Sequence, residues 1–253
     1  MHLASGATRP IIRLLPAIVA HAAATTSLLL GGRFRLGVGT GEALNEHILG
    51  HRWPPPEVRL KMLEEAVHVM RLMWSGETVD HRGDFYEVDN ARLFDPPTEP
   101  IEVIVSAYGP VAAQLAARIG DGYWGNSPDE SVVGRYREAG GGGPMYAQID
   151  VRVGADEEKC QQIIHQWWAN GGVPGQLPQD LPTFTHFEQA VSVLSRDQTT
   201  AEVTIGQDPD RIVAAVQPYL DAGYDHIYFH QIGPDPRPLF DLWTSALHDA
   251  LPR

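Results

Sequence analysis

The chain has 253 residues, of which 19 are Lys or Arg and 32 are Asp or Glu, so its formal net charge is −13 at neutral pH. Hydrophobic residue types make up 43% of the chain, which is enough for a folded core and excludes a disordered protein. The acidic excess argues against a nucleic-acid partner, because nucleic-acid binding requires clustered Lys and Arg. The single cysteine, Cys160, excludes an internal disulfide framework and predicts a reducing, cytoplasmic location.

The most apolar stretch, residues 14–30, is interrupted by Pro16, His21 and three hydroxyl residues. A helix that spans a bilayer needs about 20 clean apolar residues. We therefore predict no membrane contact and no signal peptide here, but a buried, alanine-rich helix that begins at Pro16 and is closed by Gly31.

Beyond residue 32, strand-type runs alternate with helix-type runs whose apolar residues recur at three-four spacing. In chain order the sequence predicts a strand at 33–39, a helix at 57–75, a hairpin at 79–88, a strand at 101–107, a helix at 110–119, a strand at 122–126, a helix at 129–139, a strand at 146–153, a helix at 155–170, a strand at 202–205, a helix at 209–222, a strand at 226–232 and a helix at 239–251. Such alternation predicts parallel strands with crossover helices. The glycine run at 37–41 lacks the G-x-G-x-x-G spacing of the doubly wound dinucleotide fold, so a (β/α)8 barrel is favoured.

The run GVGTGEALNE at 37–46, followed by HRWP at 51–54, resembles the luciferase-like superfamily. Within it, the match is to deazaflavin (coenzyme F420)-dependent oxidoreductases of the glucose-6-phosphate dehydrogenase type. Shorter matching runs follow in the expected order at 8–10, 16–18, 90–93, 120–122, 219–223 and 230–233.

The resemblance implies an α/β fold, a TIM-type (β/α)8 barrel of the luciferase-like kind, formed by residues 1–253 as a single domain. The chain aligns from the family's third strand, so we expect the first two βα units to be missing and about six barrel strands to be present. The family's Asp-His pair lies in that segment, so the resemblance gives no catalytic base.

By resemblance, Glu42 is the acid that protonates the deazaflavin ring when hydride arrives at its C5 atom. Glu42 follows a predicted strand, where barrel enzymes place catalytic groups, and the glycines around it let the backbone approach a planar ligand. This chemistry needs a carboxyl that burial keeps protonated. The alternative is a carboxylate at the start of a helix.

The resemblance assigns contacts with the cofactor to three segments. The first is a strand bulge with an expected cis peptide bond, comprising Gly6, Ala7 and Arg9. The second flanks Glu42 and comprises Thr40, Gly41 and Asn45, of which Thr40 and Asn45 alternatively cap the next helix. The third is a strand-to-helix turn whose free N–H groups suit a phosphate or anionic tail, comprising Ser106, Ala107, Tyr108, Gly109, Pro110 and Val111. Glu46 is expected to pair with a cation such as Arg52.

Four residues are candidates for substrate contact. Trp53 lies in a proline-rich loop and is either a rigid wall or a substrate contact. Asn126 and Asp129 follow Gly120-Asp121-Gly122, where sugar-phosphate members carry a phosphate-binding lysine. Asp129 at the lysine position would repel a phosphate, so glucose 6-phosphate is not expected as the substrate. His230 either points into the barrel mouth or is a structural histidine.

The resemblance thus predicts an F420-dependent oxidoreductase that transfers a hydride between a small alcohol-type substrate and the deazaflavin. The alternatives are an FMN-dependent luciferase-like monooxygenase, or a non-catalytic remnant that binds cofactor or only dimerises. The histidines form no zinc signature, so no metal is predicted. The pair Trp167-Trp168 indicates a core or dimer contact, and we predict a homodimer.

Overall fold

The computed structural model describes residues 2–252, which divide into two compact units. The first unit comprises residues 2–41, 45–125 and 129–145, and the second comprises 42–44, 126–128 and 146–252. Met1 and Arg253, the ends of the predicted domain 1–253, lie outside the described residues. The single-domain organisation stays a prediction.

The first unit contains four parallel strands in the order β1-β2-β5-β6 and a separate antiparallel hairpin, β3-β4. The strands are β1 (Leu3–Ala4), β2 (Phe34–Val38), β3 (Val79–Arg82), β4 (Glu87–Ala91), β5 (Glu102–Ser106) and β6 (Gly122–Gly125). The helices are α1 (Pro16–Leu29), α3 (Pro56–Trp74), α4 (Pro110–Ile119) and α5 (Glu130–Glu138), and the short α2 (Ala43–Glu46) with a 3-10 turn at His47–Leu49 contains residues of both units.

In the second unit, which contains all of β7 (Met145–Arg152) except its first residue, this strand pairs in parallel with both β8 (Thr204–Ile205) and β9 (His226–Gln231). Its helices are α6 (Glu157–Trp167), α7 (Leu177–Asp180), α8 (Phe184–Ser192), α9 (Arg196–Thr200), α10 (Pro209–Asp221), α11 (Arg237–Leu242) and α12 (His248–Ala250), with a 3-10 turn at Ala169–Gly172 and a π-helical segment at Trp243–Leu247. One core of this unit forms where β7 packs on α10 and the C-terminal helices, through Ile149, Val151, Val153, Ile212, Val216, Leu239 and Leu247.

Helix boundaries follow local chemistry. Proline occupies the first position of α1, α3, α4 and α10, where its missing N–H costs nothing. Aspartate side chains cap α5, α6 and α10 by accepting a hydrogen bond from a backbone N–H of the first turn. Gly76, which has φ of 75°, follows α3 and stops it.

The predicted elements are confirmed with boundary shifts of a few residues, and the prediction failed in one region. The sequence pattern predicts no element at residues 177–200, whereas the structure has α7, α8 and α9 there. Pro178 and Pro182 interrupt the start of this stretch, and its helices of four to nine residues are too short to show a clear helical period. The predicted strand at 202–205 shortens to β8, and the predicted helix at 239–251 is divided by the π-helical segment.

The carboxylate of Glu65 on α3 connects this helix to the β3-β4 hairpin through hydrogen bonds. Glu65 accepts hydrogen bonds from three successive backbone N–H groups, at 3.1 Å from Asp84 and from Phe85 and at 2.9 Å from Tyr86, and a fourth from His81 Nε2 at 3.1 Å. Burial alone would raise the pKa of Glu65, but the bonds from His81, Tyr86 and Phe85 outweigh it and hold the pKa below its ordinary 4.5.

Glu65→Gln is expected to destabilise the protein by about 1–3 kcal/mol at neutral pH, because an amide offers one acceptor oxygen and no charge to this set of donors. A carboxyl whose pKa is depressed on folding stabilises above its unfolded pKa and loses that contribution as pH falls. The urea midpoint of the variant should therefore lie below that of the parent by the largest amount above pH 4.5, and this difference should shrink as the pH falls below 4.5. A difference that does not change with pH would contradict this role.

Candidate functional site

Small residues from three neighbouring parallel strands meet in the first unit. A Cβ atom placed on Gly39 would lie 3.6 Å from Cβ of Ser106 and 3.7 Å from Cβ of Ala7. Two residues before Gly39, a Cβ on Gly37 would lie 2.0 Å from the Ser5 carbonyl oxygen. Only glycine therefore permits the backbone of β2 to lie this close to Ser5. Two predicted cofactor residues, Ala7 and Ser106, therefore lie on either side of Gly39.

Ala7 has φ of 135°, a conformation that residues with side chains rarely adopt. It is held by backbone bonds of its neighbour Thr8, whose N–H donates to Gly37 O at 2.6 Å and whose carbonyl accepts from Gly39 N at 3.0 Å. The predicted cis peptide bond is wrong, because all peptide bonds between residues 2 and 252 are trans. The bulge is made by the positive φ of Ala7 instead.

The turn at 106–111 has the predicted strand-to-helix geometry. Ser106 ends β5, Gly109 is the N-cap of α4 and Pro110 is its first residue. Ala107 is fixed in the turn, since its N–H donates to Trp124 O and its carbonyl accepts from Tyr123 Oη, both at 3.0 Å. A Cβ on Gly109 would meet no atom within 4 Å, so open space adjoins the helix start. The exposed side chains of Tyr108 and Val111 flank it.

A buried ion cluster lies beside the glycine run. The Glu46 side chain is 1% exposed, with Oε1 at 3.9 Å from Arg9 Nε and 3.8 Å from Arg13 Nε. Its Oε2 accepts from the Arg13 backbone N–H at 2.8 Å. A Cβ on Gly41, which has φ of 79°, would lie 2.8 Å from Arg9 Cδ. The expected pairing of Glu46 with a cation is confirmed, but the cations are Arg9 and Arg13 from the segment after β1, and not Arg52.

The predicted acid, Glu42, is partly buried and directly precedes α2. Thr40 and Asn45 are also partly buried, and Gly6 is exposed in the bulge before Ala7. The structure thus places the second predicted segment around the start of a four-residue helix. The roles assigned to these residues stay predictions.

The predicted substrate residues each have a structural contact. The Arg59 guanidinium lies 4.2 Å from the centre of the Trp53 ring and donates to Pro54 O at 3.0 Å, which holds the loop. Asp129 is exposed and caps α5, and hydrogen bonds from the backbone and side chain of Ser131 hold its pKa below the ordinary value. The carbonyl of Asn126 accepts from Tyr219 Oη at 2.9 Å.

His230 belongs to a cluster that the sequence analysis missed. Its Nδ1 lies 2.9 Å from Asp150 Oδ1, and its ring contacts the Trp168 ring edge-on with 4.6 Å between centroids. Asp150 also accepts from Trp168 Nε1 at 2.9 Å and from Gln148 Nε2 at 3.1 Å. The available signal was the alternation of polar and apolar residues at 146–153, which places Gln148 and Asp150 on one face of β7.

Residues 2–252 contain neither a membrane-spanning helix nor a cluster of metal ligands. No helix there is long and apolar enough to cross a membrane. No group of three or more His, Cys, Asp or Glu side chains in the same residues is arranged to hold a metal ion.

The fold and the strand-end residues define the class of protein. The chain belongs to the luciferase-like monooxygenase family, whose model matches residues 1–226. The predicted superfamily and its TIM-type α/β fold are confirmed.

Among curated relatives, the F420-dependent glucose-6-phosphate dehydrogenase of Amycolatopsis mediterranei is 33% identical over 257 residues, which cover 96% of this chain and 76% of the relative. The F420-dependent glucose-6-phosphate dehydrogenase of Rhodococcus hoagii is also 33% identical, covering 98% of this chain and 77% of the relative. These two relatives thus carry the same name.

Among solved structures, an F420-dependent secondary alcohol dehydrogenase in complex with an F420-acetone adduct superposes with a TM-score of 0.87 at 26% identity, covering 96% of this chain and 77% of that one. The coenzyme F420-dependent tetrahydromethanopterin reductase from Methanopyrus kandleri gives a TM-score of 0.78 at 21% identity, covering 100% of this chain and 84% of that one. At 21% identity, the similarity to the reductase shows a shared fold alone.

Proposed function

We propose that this protein is an F420-dependent oxidoreductase that transfers a hydride between the deazaflavin and a small alcohol-type substrate. The observation that carries the proposal is the meeting of three small residues, Ala7, Gly39 and Ser106, at the ends of neighbouring parallel strands. Relatives 33% identical over nearly the whole chain are named for F420, which supports the same cofactor here.

The residues present suit such a cofactor. Ala7 and Gly39 would lie against the ring, since a strained backbone such as that of Ala7 is typical of ligand sites. The start of α4 would hold the anionic tail through unpaired backbone N–H groups, in the open space beside Gly109. When bound, F420 supplies hydride chemistry at C5. Glu42, directly after Gly41, would carry the proton that the ring takes up.

FMN is the alternative cofactor. A solved FMN complex of a type II Baeyer-Villiger monooxygenase superposes with a TM-score of 0.69, but its 16% identity speaks for the fold alone. The relatives above 30% identity are named for F420, so F420 is the better-supported proposal.

We further propose that the substrate is an alcohol without a phosphate group. The relatives are named for glucose 6-phosphate, but the resemblance places their phosphate-binding lysine at Asp129. That side chain is an exposed carboxylate committed to capping α5. A negative charge there would oppose a phosphate.

The test of the proposed function is the loss of the visible absorbance of oxidised F420 when the protein is mixed with propan-2-ol. Glucose 6-phosphate is assayed in parallel. Reduction by propan-2-ol, with a slower or absent reaction of glucose 6-phosphate, supports the proposal. Reduction of F420 by glucose 6-phosphate alone would overturn the proposed phosphate-free substrate. Reduction of F420 by neither compound would overturn the proposed function.

Gly109→Val is expected to weaken F420 binding by about tenfold or more, because its side chain would fill the space beside the start of α4. Fluorescence titration with F420 measures the affinity. Gly142→Val is the matched control, since a Cβ there also meets no atom within 4 Å but lies outside the turn. Equal F420 affinities of the two variants would show that the turn at 106–111 does not contribute to F420 binding.

A further inference from the structure

Helix α1 of the first unit is buried on one side only. The helix contacts α3 and β2. Trp74, the last residue of α3, donates from Nε1 to Ala20 O at 2.9 Å, which fixes α1 on this side. The buried residues of α1 recur at three-four spacing, as one face of a helix requires, and they are Pro16, Val19, Ala20, Ala23, Ala24 and Ser27. The predicted burial of this helix is therefore confirmed for one side, and its other side faces solvent.

The solvent side of α1 is largely apolar, whereas a surface helix normally presents charged and polar residues there. Four exposed residues at spacings of four, three and four form a stripe along it, namely Ile18, Ala22, Thr25 and Leu29. Ile18 is 61% exposed and Leu29 is 82% exposed. Three leucines that are between 37% and 55% exposed flank the stripe, namely Leu14, Leu15 and Leu28.

The same stretch has no formal charge. Residues 14–32 contain no Asp, Glu, Lys or Arg, although these types make up 20% of the chain. A partner with a strongly charged surface would gain no complementary contact here. Two copies of a chain whose net charge is −13 repel each other, so a charge-free face is where they can meet. The charge pattern therefore favours a second copy of this chain as the occupant of the α1 stripe.

The exposed apolar area on α1 is large enough for a dimer. The solvent-facing parts of the five Leu and Ile side chains amount to roughly 500 Å², which is in the range of about 300–600 Å² found for the largest, often functional, patch of a monomer. A standard interface buries about 800 Å² on each partner. In homodimers about 65% of that area is apolar, or roughly 500 Å². One copy of α1 thus supplies the apolar area that one partner of a stable dimer needs.

We propose that two copies of the chain pair through α1, with the two helices antiparallel across a two-fold axis. The stripe is symmetric about a point midway between Ala22 and Thr25. In an antiparallel pair, Ile18 therefore lies opposite Leu29 of the partner subunit, and Ala22 lies opposite Thr25 of the partner subunit. Large side chains meet at both ends, and small ones meet at the centre, where the two backbones approach each other most closely. The four-three-four spacing is that of a coiled-coil seam.

The first experiment measures the mass of the purified protein in solution. Size-exclusion chromatography with light scattering should give twice the chain mass at micromolar concentration. Ile18→Glu should raise the dimer Kd by about 100-fold or more, because the two-fold axis places the new charge in the interface twice. Val193→Glu is the matched control and should stay dimeric, since Val193 is 80% exposed but belongs to the second unit. Both variants change exposed side chains, so their circular dichroism should match that of the parent.

The second experiment tests the register, and it decides the proposal should Ile18→Glu not fold. The double variant Ile18→Cys/Leu29→Cys should form disulfide-linked dimers in air with copper phenanthroline. The two positions lie about 16 Å apart on one helix, which is too far for a bond within one chain. Each single variant should cross-link at least about tenfold less, because an antiparallel pair keeps like positions equally far apart. The native Cys160 is buried and should not react.

Several results would overturn the proposal. A parent protein that stays monomeric at micromolar concentration does not form this dimer. Dissociation by Trp167→Glu but not by Ile18→Glu would place the interface at the exposed Trp167 instead. Equal cross-linking of the single and double cysteine variants would contradict the antiparallel register. A monomer that sediments with phosphatidylcholine vesicles would show that a lipid surface, and not a second copy, covers α1.

Discussion

Glu46→Gln is expected to lower the free energy of unfolding by about 2–4 kcal/mol, because it removes the negative charge of a buried ion cluster and leaves two cations facing an amide. The effect should lie below the upper end known for buried pairs, since the side chains of Arg9 and Arg13 keep 27% and 34% exposure. Urea unfolding at neutral pH measures it.

The control for this change is Glu64→Gln, which removes the same charge from a surface pair. Glu64 Oε1 lies 3.2 Å from Arg118 Nη2, and the two side chains are 47% and 55% exposed, respectively. Exposed pairs of this kind contribute about 0–1 kcal/mol. Equal destabilisation by the two variants would show that burial of Glu46 does not matter.

Glu42→Gln is expected to slow F420 reduction by about 100-fold or more, because glutamine keeps the shape of the side chain but has no acidic proton to give to the ring. The affinity for F420 should change little, since binding is proposed to depend on the Ala7 bulge and on the turn at 106–111. Stopped-flow measurement gives the rate of the hydride-transfer step separately from the affinity for F420.

Glu64→Gln again serves as the control, and it should reduce F420 at the rate of the parent protein. A Glu42→Gln variant with an unchanged hydride-transfer rate would show that Glu42 is not the proton donor. A variant that no longer binds F420 would place Glu42 in cofactor binding instead.

The fold was predictable wherever one local pattern dominates. The helix predicted at 110–119 is α4, because Gly109-Pro110 at its start and Gly120 after its end are strong boundary signals. Residues 177–200 were not predictable in the same way, since α7, α8 and α9 have four to nine residues each and their stability comes from tertiary packing.

The candidate site was predictable in part. Ala7 and Ser106 meet because neighbouring parallel strands bring together the segments that follow them, which the order of elements already implies. The partners of Glu46 and the Asp150-Trp168-His230 cluster were missed. Asp150 and His230 are 80 residues apart, and Trp168 is 18 residues from Asp150, so no local spacing connects them.

The most direct test of the central claim is a pair of fluorescence titrations of the purified protein, one with F420 and one with FMN. The account predicts saturable F420 binding with a Kd on the order of micromolar, and FMN binding at least about 100-fold weaker. Tight binding of FMN together with no binding of F420 would contradict it.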